Sequence, residues 1–210
     1  MYQLYFAPGA ASMCVHQALL EIGAKHELIA LDLHSGAQKA PAYLKLNPNG
    51  VVPTLLVDGQ PMYEAAALLL FLADQHPEAA LAPAISSAAR RPYLQWMLHL
   101  ANTLQPAFRL WFYPAEIAGE AQAELVKAEA QRRIEAAFER IDAHLAATGK
   151  WMLGEHFSVL DLYAVMLMRW SRNQPRPASD WPNCRGLIER VKARPSWQQL
   201  YASEGLTEWA

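Results

Sequence analysis

The hydrophobic period of this 210-residue chain changes once, at His76-Pro77, and that change restricts the fold more than any other feature. Before it, short strand-like runs alternate with helical ones; after it, only the helical period recurs. Residues 2–6 form an aromatic run that stops at Ala7-Pro8-Gly9, where Pro ends strand pairing and Gly permits an unusual backbone angle. From Ser12, the apolar residues Val15, Ala18, Leu19 and Ile22 recur at helical spacing, with Ser12 at the N-cap position and Gly23 at the C-cap position. Residues 26–31 alternate weakly as a second strand, and residues 40–46 predict a short irregular helix before the Asn47-Pro48-Asn49-Gly50 turn. Asp58-Gly59 joins residues 53–57 to residues 60–63 as a two-residue hairpin, and residues 64–75 form an apolar helix ending before Pro77. The order βαβ then ββα predicts an α/β thioredoxin-like domain over residues 1–76.

Residues 77–89, with Pro77 and Pro83 and little periodicity, read as a linker. Residues 90–210 predict an all-α domain. A long aromatic-rich helix over residues 90–113, kinked at Pro106, pairs with a second over residues 120–147 that stops before Gly149. Ser158 stands three residues ahead of Asp161, a capping-box variant opening an apolar helix that runs through Trp170. Residues 183–193 and 196–202, separated by Arg194-Pro195, complete the domain.

Charge and composition remove several function classes. Lys+Arg 18 against Asp+Glu 20 leaves a net charge of -2, and no basic run offers a surface for nucleic acid. The apolar stretch over residues 65–73 is less than half a bilayer span, so no membrane partner is expected. Cys14 and Cys184 lie far apart and neither belongs to a CxxC pair, which fits a reducing compartment; Met1 leads into the first strand without a basic or long apolar leader, so the chain is expected in the cytoplasm. Cys14 and His16, two apart on a helix, face different directions, and no metal is expected.

Four segments, in this order, resemble the glutathione S-transferase superfamily and its bacterial beta class. They are Pro8-Gly-Ala-Ala-Ser-Met-Cys-Val-His16, Asn47-Pro-Asn-Gly-Val-Val-Pro-Thr-Leu55, the glutamate-led helix from Glu64 to Asp74, and Phe157-Ser-Val-Leu-Asp-Leu-Tyr163. The tail residues Arg194-Pro195 and Ser203-Glu-Gly-Leu206 are similar to the same class. The resemblance implies the glutathione transferase fold, a homodimer, glutathione as co-substrate and a detoxifying transfer to a small-molecule electrophile or peroxide. A glutathione-dependent isomerase, lyase or dehalogenase, or a non-catalytic binding or regulatory protein of the same fold, are the alternatives.

Glutathione is an extended tripeptide, so its site must offer a strand edge, a place for each terminal carboxylate and a feature that favours thiolate over thiol. The resemblance implies a cis Val52-Pro53 bond, with Val52 pairing through its backbone, and a γ-glutamyl site at Glu64 and Ala65, where a helix N-terminus meets a carboxylate. Lys39, or else His34, lies where the family places a basic residue for the glycyl carboxylate; a solvated loop charge is the alternative. Ser12 is the candidate catalytic group, a hydroxyl donor to the sulfur beside a helix N-terminus, unless it is a plain N-cap. The beta-class cysteine aligns with Ala11 and the beta-class histidine of the long helix with Gln105, so a cysteine-based mixed disulfide at position 11 is excluded; Cys14 is either a reactive thiol or a buried inert one. Gln105, Phe108, Arg109 and Phe112 share a helix face that can line the electrophile pocket, Arg109 favouring an anionic substrate if it points into the cleft; aromatic residues at this spacing are more often simple core.

Overall fold

The computed structural model describes residues 1–209 and divides the chain into two compact units, Met1–Ala82 together with the segment from Lys192 onward, and Pro83–Val191. In the first, β1 (Tyr2–Phe6) leads to α1 (Ser12–Ile22) and β2 (His26–Ala30). A short α2 (Pro41–Leu44) precedes β3 (Thr54–Val57), β4 (Gln60–Tyr63) and α3 (Ala65–Gln75). The sheet runs β2-β1-β3-β4, with β1 and β2 parallel and the other two pairings antiparallel. This is the thioredoxin-like arrangement that the element order predicts. The β3–β4 hairpin closes in two residues because Asp58 and Gly59 both take positive φ, 49° and 83°, the backbone that matches strand twist. Leu4 and Leu55 from the sheet, Val15 and Leu19 from α1 and Leu68 and Leu72 from α3 are fully buried. Each contributes about 2 kcal/mol of transfer free energy.

One element joins a different unit from the one its sequence position suggests. α10 (Pro195–Glu204) packs on α1 and so belongs with the thioredoxin-like unit, not with the helical domain of residues 90–210. Polar pairing explains the choice. Arg194 donates from Nε and Nη2 to both carboxylate oxygens of Glu21, at 2.5 and 2.7 Å. Ser196 Oγ donates to Glu21 and accepts from Gln17 Nε2 at 3.1 Å. A helical period records which face of α10 is apolar; it carries no record of the partners 170 or more residues upstream.

The helical unit holds α4 (Arg90–His99), α5 (Gln105–Phe112), α6 (Ala115–Ala118), α7 (Ala123–Thr148), α8 (Val159–Trp170) and most of α9 (Pro182–Lys192). The expected kink lies ahead of Pro106 as a π turn over Leu100–Leu104. Pro106 has no N–H for the carbonyl of Asn102, and its ring crowds that carbonyl, so the helix ladder widens one turn earlier. α8 is buried from Val159 to Arg169, and its capping box forms as predicted. Ser158 Oγ accepts from Leu160 N, while Asp161 accepts from Ser158 N and Met152 N at 2.8 Å each. Among the described residues no helix is long and apolar enough to cross a membrane.

Candidate functional site

The loop between β1 and α1 uses up nearly all of its own amides. Ala7 N donates to Ser12 Oγ, Gly9 N to Glu204 Oε2, Ala10 N to Ala7 O and Met13 N to Ala10 O, and Pro8 has none to give. That leaves the N–H groups of Ala11 and Ser12, at the positive end of α1, without an acceptor among the described residues. The cap itself differs from expectation: Ala11 is the N-cap and Ser12 the first helical residue. Ser12 is fully buried, and its hydroxyl donates to Ala7 O at 3.2 Å while accepting from Ala7 N. The proton that the sequence assigns to a substrate sulfur is thus held by the upstream backbone. Cys14 is also buried; its Sγ donates to Ala11 O at 3.3 Å, and burial drives its pKa far above the ordinary thiol range, so it is the inert cysteine of the two readings.

A second loop lies against the first: Ala7, Tyr43 and Val52 form one buried apolar cluster, with Ala10 packed on it. The Val52-Pro53 bond is cis. Ahead of it the Val51 carbonyl is doubly held, by Tyr43 Oη at 2.8 Å and Asn47 Nδ2 at 2.9 Å. The same two side chains meet buried Thr54 Oγ1 at 2.7 and 3.1 Å. Val52 is mostly buried, yet neither its N–H nor its C=O has a hydrogen-bond partner among the described residues. Buried backbone groups are nearly always paired, so this open donor–acceptor pair just before β3 stands out as an edge to which an extended chain can add. Tyr43, Asn47 and Thr54 are absent from the sequence-based candidate set. The Asn47-Pro48-Asn49-Gly50 turn signal covered one of them, and only the tertiary hydrogen bonds reveal the other two.

Glu64 adds a third piece. It is the N-cap of α3, with φ 75° and ψ 109°, a left-handed backbone that costs a non-glycine residue about 1–3 kcal/mol. Its carboxylate is exposed and does not cap the helix; Oε1 accepts from Asn49 Nδ2 at 3.3 Å. The first α3 amides, those of Ala65 to Ala67, therefore stay open among the described residues. Lys39, on a short turn over Ala37–Lys39, donates from Nζ to Asn49 O at 3.2 Å. Asn49 thus ties Lys39 and Glu64 to one turn beside Val52 and Pro53. His34 is exposed and makes only a local backbone bond to Asp32, outside this group.

The four candidates on the long helix separate. Gln105 accepts from Tyr163 Oη. Phe108 is fully buried against Phe138 and Trp170, so it is core of the helical unit and not a pocket wall. Arg109 points to solvent, where Nη2 pairs with Glu116 Oε2 at 2.5 Å and the guanidinium stacks 4.1 Å over Tyr113. The expected preference for an anionic substrate falls with that pairing. The partner sits on α6, a short helix in the gap between the two helices that the sequence predicts. Phe112 stays exposed and stacks on Phe108.

Known proteins share this fold. The family model described as "Glutathione S-transferase, N-terminal domain" matches residues 1–74, and "Glutathione S-transferase, C-terminal domain" matches residues 120–190. Glutathione S-transferase GstA of Escherichia coli O157:H7 is 28% identical over 207 residues, covering 97% of this chain and 99% of the relative. A bacterial beta class glutathione S-transferase from Sphingomonas chungbukensis is 30% identical, with TM-score 0.85 over 98% of this chain and 100% of the other. A glutathione transferase homologue from Sulfitobacter, solved with bound glutathione, is 27% identical with TM-score 0.90 over 99% of each chain.

Proposed function

The chain belongs to the glutathione S-transferase family, and from that premise we propose that it binds glutathione along Val52 and ionises the thiol at the start of α1 for transfer to a small hydrophobic electrophile or peroxide. The observation that carries this reading is the open N–H and C=O pair of Val52 beside the left-handed Glu64. A cysteinyl residue pairs with the former as an added strand. The γ-glutamyl carboxylate meets the open α3 amides from Ala65 onward, and its ammonium meets the Glu64 carboxylate. Lys39, whose Nζ is held to that turn through Asn49 O, serves the glycyl carboxylate. Pro53 fixes the backbone that aims Val52 outward.

Activation follows from the first loop. A thiol titrates near pKa ~8.5, and moving it down by about two units needs roughly 2.7 kcal/mol of preference for thiolate. Two charge-assisted bonds from Ala11 N and Ser12 N, at about 1.5–3 kcal/mol each, with about 0.3–1 kcal/mol from the α1 dipole, cover that requirement. Ser12 acts in this account through its N–H, and its hydroxyl holds the loop to Ala7. The protein works as a cytoplasmic homodimer in detoxification. Conjugation of a nitroaryl halide, compared between glutathione and the dipeptide Cys-Gly, tests the reading. Wild type should prefer the tripeptide by at least about tenfold and Glu64→Gln should lose most of that preference. Equal use of both thiols by wild type would exclude the γ-glutamyl site.

A further inference from the structure

The first loop owes its geometry to a residue 195 positions downstream. Glu204, in the last turn of α10, is a buried carboxylate with both oxygens engaged: Oε1 lies 2.9 Å from His16 Nδ1 and Oε2 accepts from Gly9 N at 2.9 Å. Gly9 has φ 68°, the left-handed backbone that turns the chain between Pro8 and the start of α1. His16, one turn into α1, is as buried as Glu204, so the carboxylate grips the loop and the helix together. With Gly9 N so held, Ala11 and Ser12 are the only amides over residues 7–13 left open among the described residues.

We propose that Glu204 is a positioning residue of the transferase reaction: it fixes Gly9 so that the loop presents the Ala11 and Ser12 amides, and no others, to the glutathione sulfur. This rests on the thiol activation proposed above. Simple docking of α10 on α1 does not account for the arrangement, because that is secured separately by Arg194 and Ser196 on Glu21 and by Gln17 on Ser196. The Glu204–Gly9 bond reaches past α1 to the loop. Charge alone predicts the opposite effect: a buried carboxylate near the sulfur raises a thiol pKa, so deleting it should lower the value. A rise on deletion therefore reports geometry.

The test uses the full-length protein with glutathione bound, reading thiolate absorbance against pH, kcat, KM for glutathione and the thermal midpoint. Glu204→Ala and Glu204→Met lack an acceptor, the second nearly filling the volume; either one that folds serves. Glu204→Gln keeps an oxygen for Gly9 N, and its amide N–H can face an unprotonated His16 Nδ1. Arg194→Ala loosens α10 without touching Gly9. The acceptor-free variant should raise the bound thiol pKa by about one unit and cut kcat about tenfold below that pKa, with KM within about twofold. Glu204→Gln should recover at least half of the shift, and Arg194→Ala should lower the midpoint and leave the thiol pKa in place. The inference is overturned if the acceptor-free variant keeps the wild-type thiol pKa, if Gln recovers nothing, or if Arg194→Ala moves the pKa equally. An unshifted thiol in wild type overturns the activation reading as well.

Discussion

The helices α8 and α3 each start with an acidic residue at or near the cap, and they use it in opposite ways. At α8, Asp161 turns back on its own chain: it accepts from Ser158 N, Met152 N and Ser158 Oγ and is fully buried. At α3, Glu64 turns away: its backbone is left-handed, its carboxylate reaches only Asn49 at 3.3 Å and the first amides of the helix stay open. A closed helix start stabilises the fold. An open one costs backbone strain and leaves a positive, hydrogen-bonding end for an anionic ligand. The contrast separates a structural carboxylate from a ligand-binding one by geometry alone.

Substitutions at the two starts should therefore move different quantities. Asp161→Ala strands three buried donors and should cost about 3–5 kcal/mol by urea unfolding, while folded protein binds glutathione with unchanged affinity. Glu64→Ala should weaken glutathione about 10- to 100-fold by titration calorimetry, the loss of one charge-assisted contact. Glu64→Gly should lose the same affinity yet gain about 1 kcal/mol of stability, since glycine takes the left-handed backbone without strain. A stability loss at Glu64 comparable to that at Asp161 would erase the distinction.

The pH response sharpens the same contrast. Burial raises the Asp161 carboxyl to about 7, against the pull of its Met152 and Ser158 donors. A carboxyl with its folded pKa above its unfolded value, about 3.9, binds its proton more tightly when folded. Its contribution is fully present below pH ~3.9 and is lost as pH rises towards 7. Asp161→Asn should flatten that decline in unfolding free energy between pH 4 and 7, whereas Glu64→Gln should leave it as in wild type. Smaller effects remain. Tyr43→Phe removes one of the two donors on the Val51 carbonyl and should raise KM for glutathione about fivefold at constant kcat, the value of one hydrogen bond of about 1 kcal/mol. Arg109→Ala breaks an exposed pair with Glu116 and should change stability by about 0.5 kcal/mol or less, with anionic and neutral electrophiles affected alike.

Local chemistry made much of this fold readable from sequence. Asp58-Gly59, Gly23 and the Ser158–Asp161 box each specify a backbone conformation within a few residues, and each appears where expected. Tertiary partners were not readable. Nothing near Arg109 in the sequence marks Glu116 as its counter-ion, since α6 is only four residues long. Ser12 has the composition of a cap but lies one position inside the helix, because Ala7 takes its hydroxyl. The Glu64 backbone is likewise invisible in sequence, where a glutamate before an apolar run resembles any helix start. Tyr43 and Glu204 act across 8 and 195 residues, beyond any periodicity.

The most direct measurement is the ultraviolet thiolate absorbance of bound glutathione as a function of pH, in wild type and in Ser12→Ala. Activation by the Ala11 and Ser12 amides predicts a bound thiol pKa at least about one unit below the free value near 8.5 in both proteins, because the substitution keeps both N–H groups. An unshifted thiol in wild type would contradict the account outright, and a shift that vanishes with the Ser12 hydroxyl would return the activating role to that side chain.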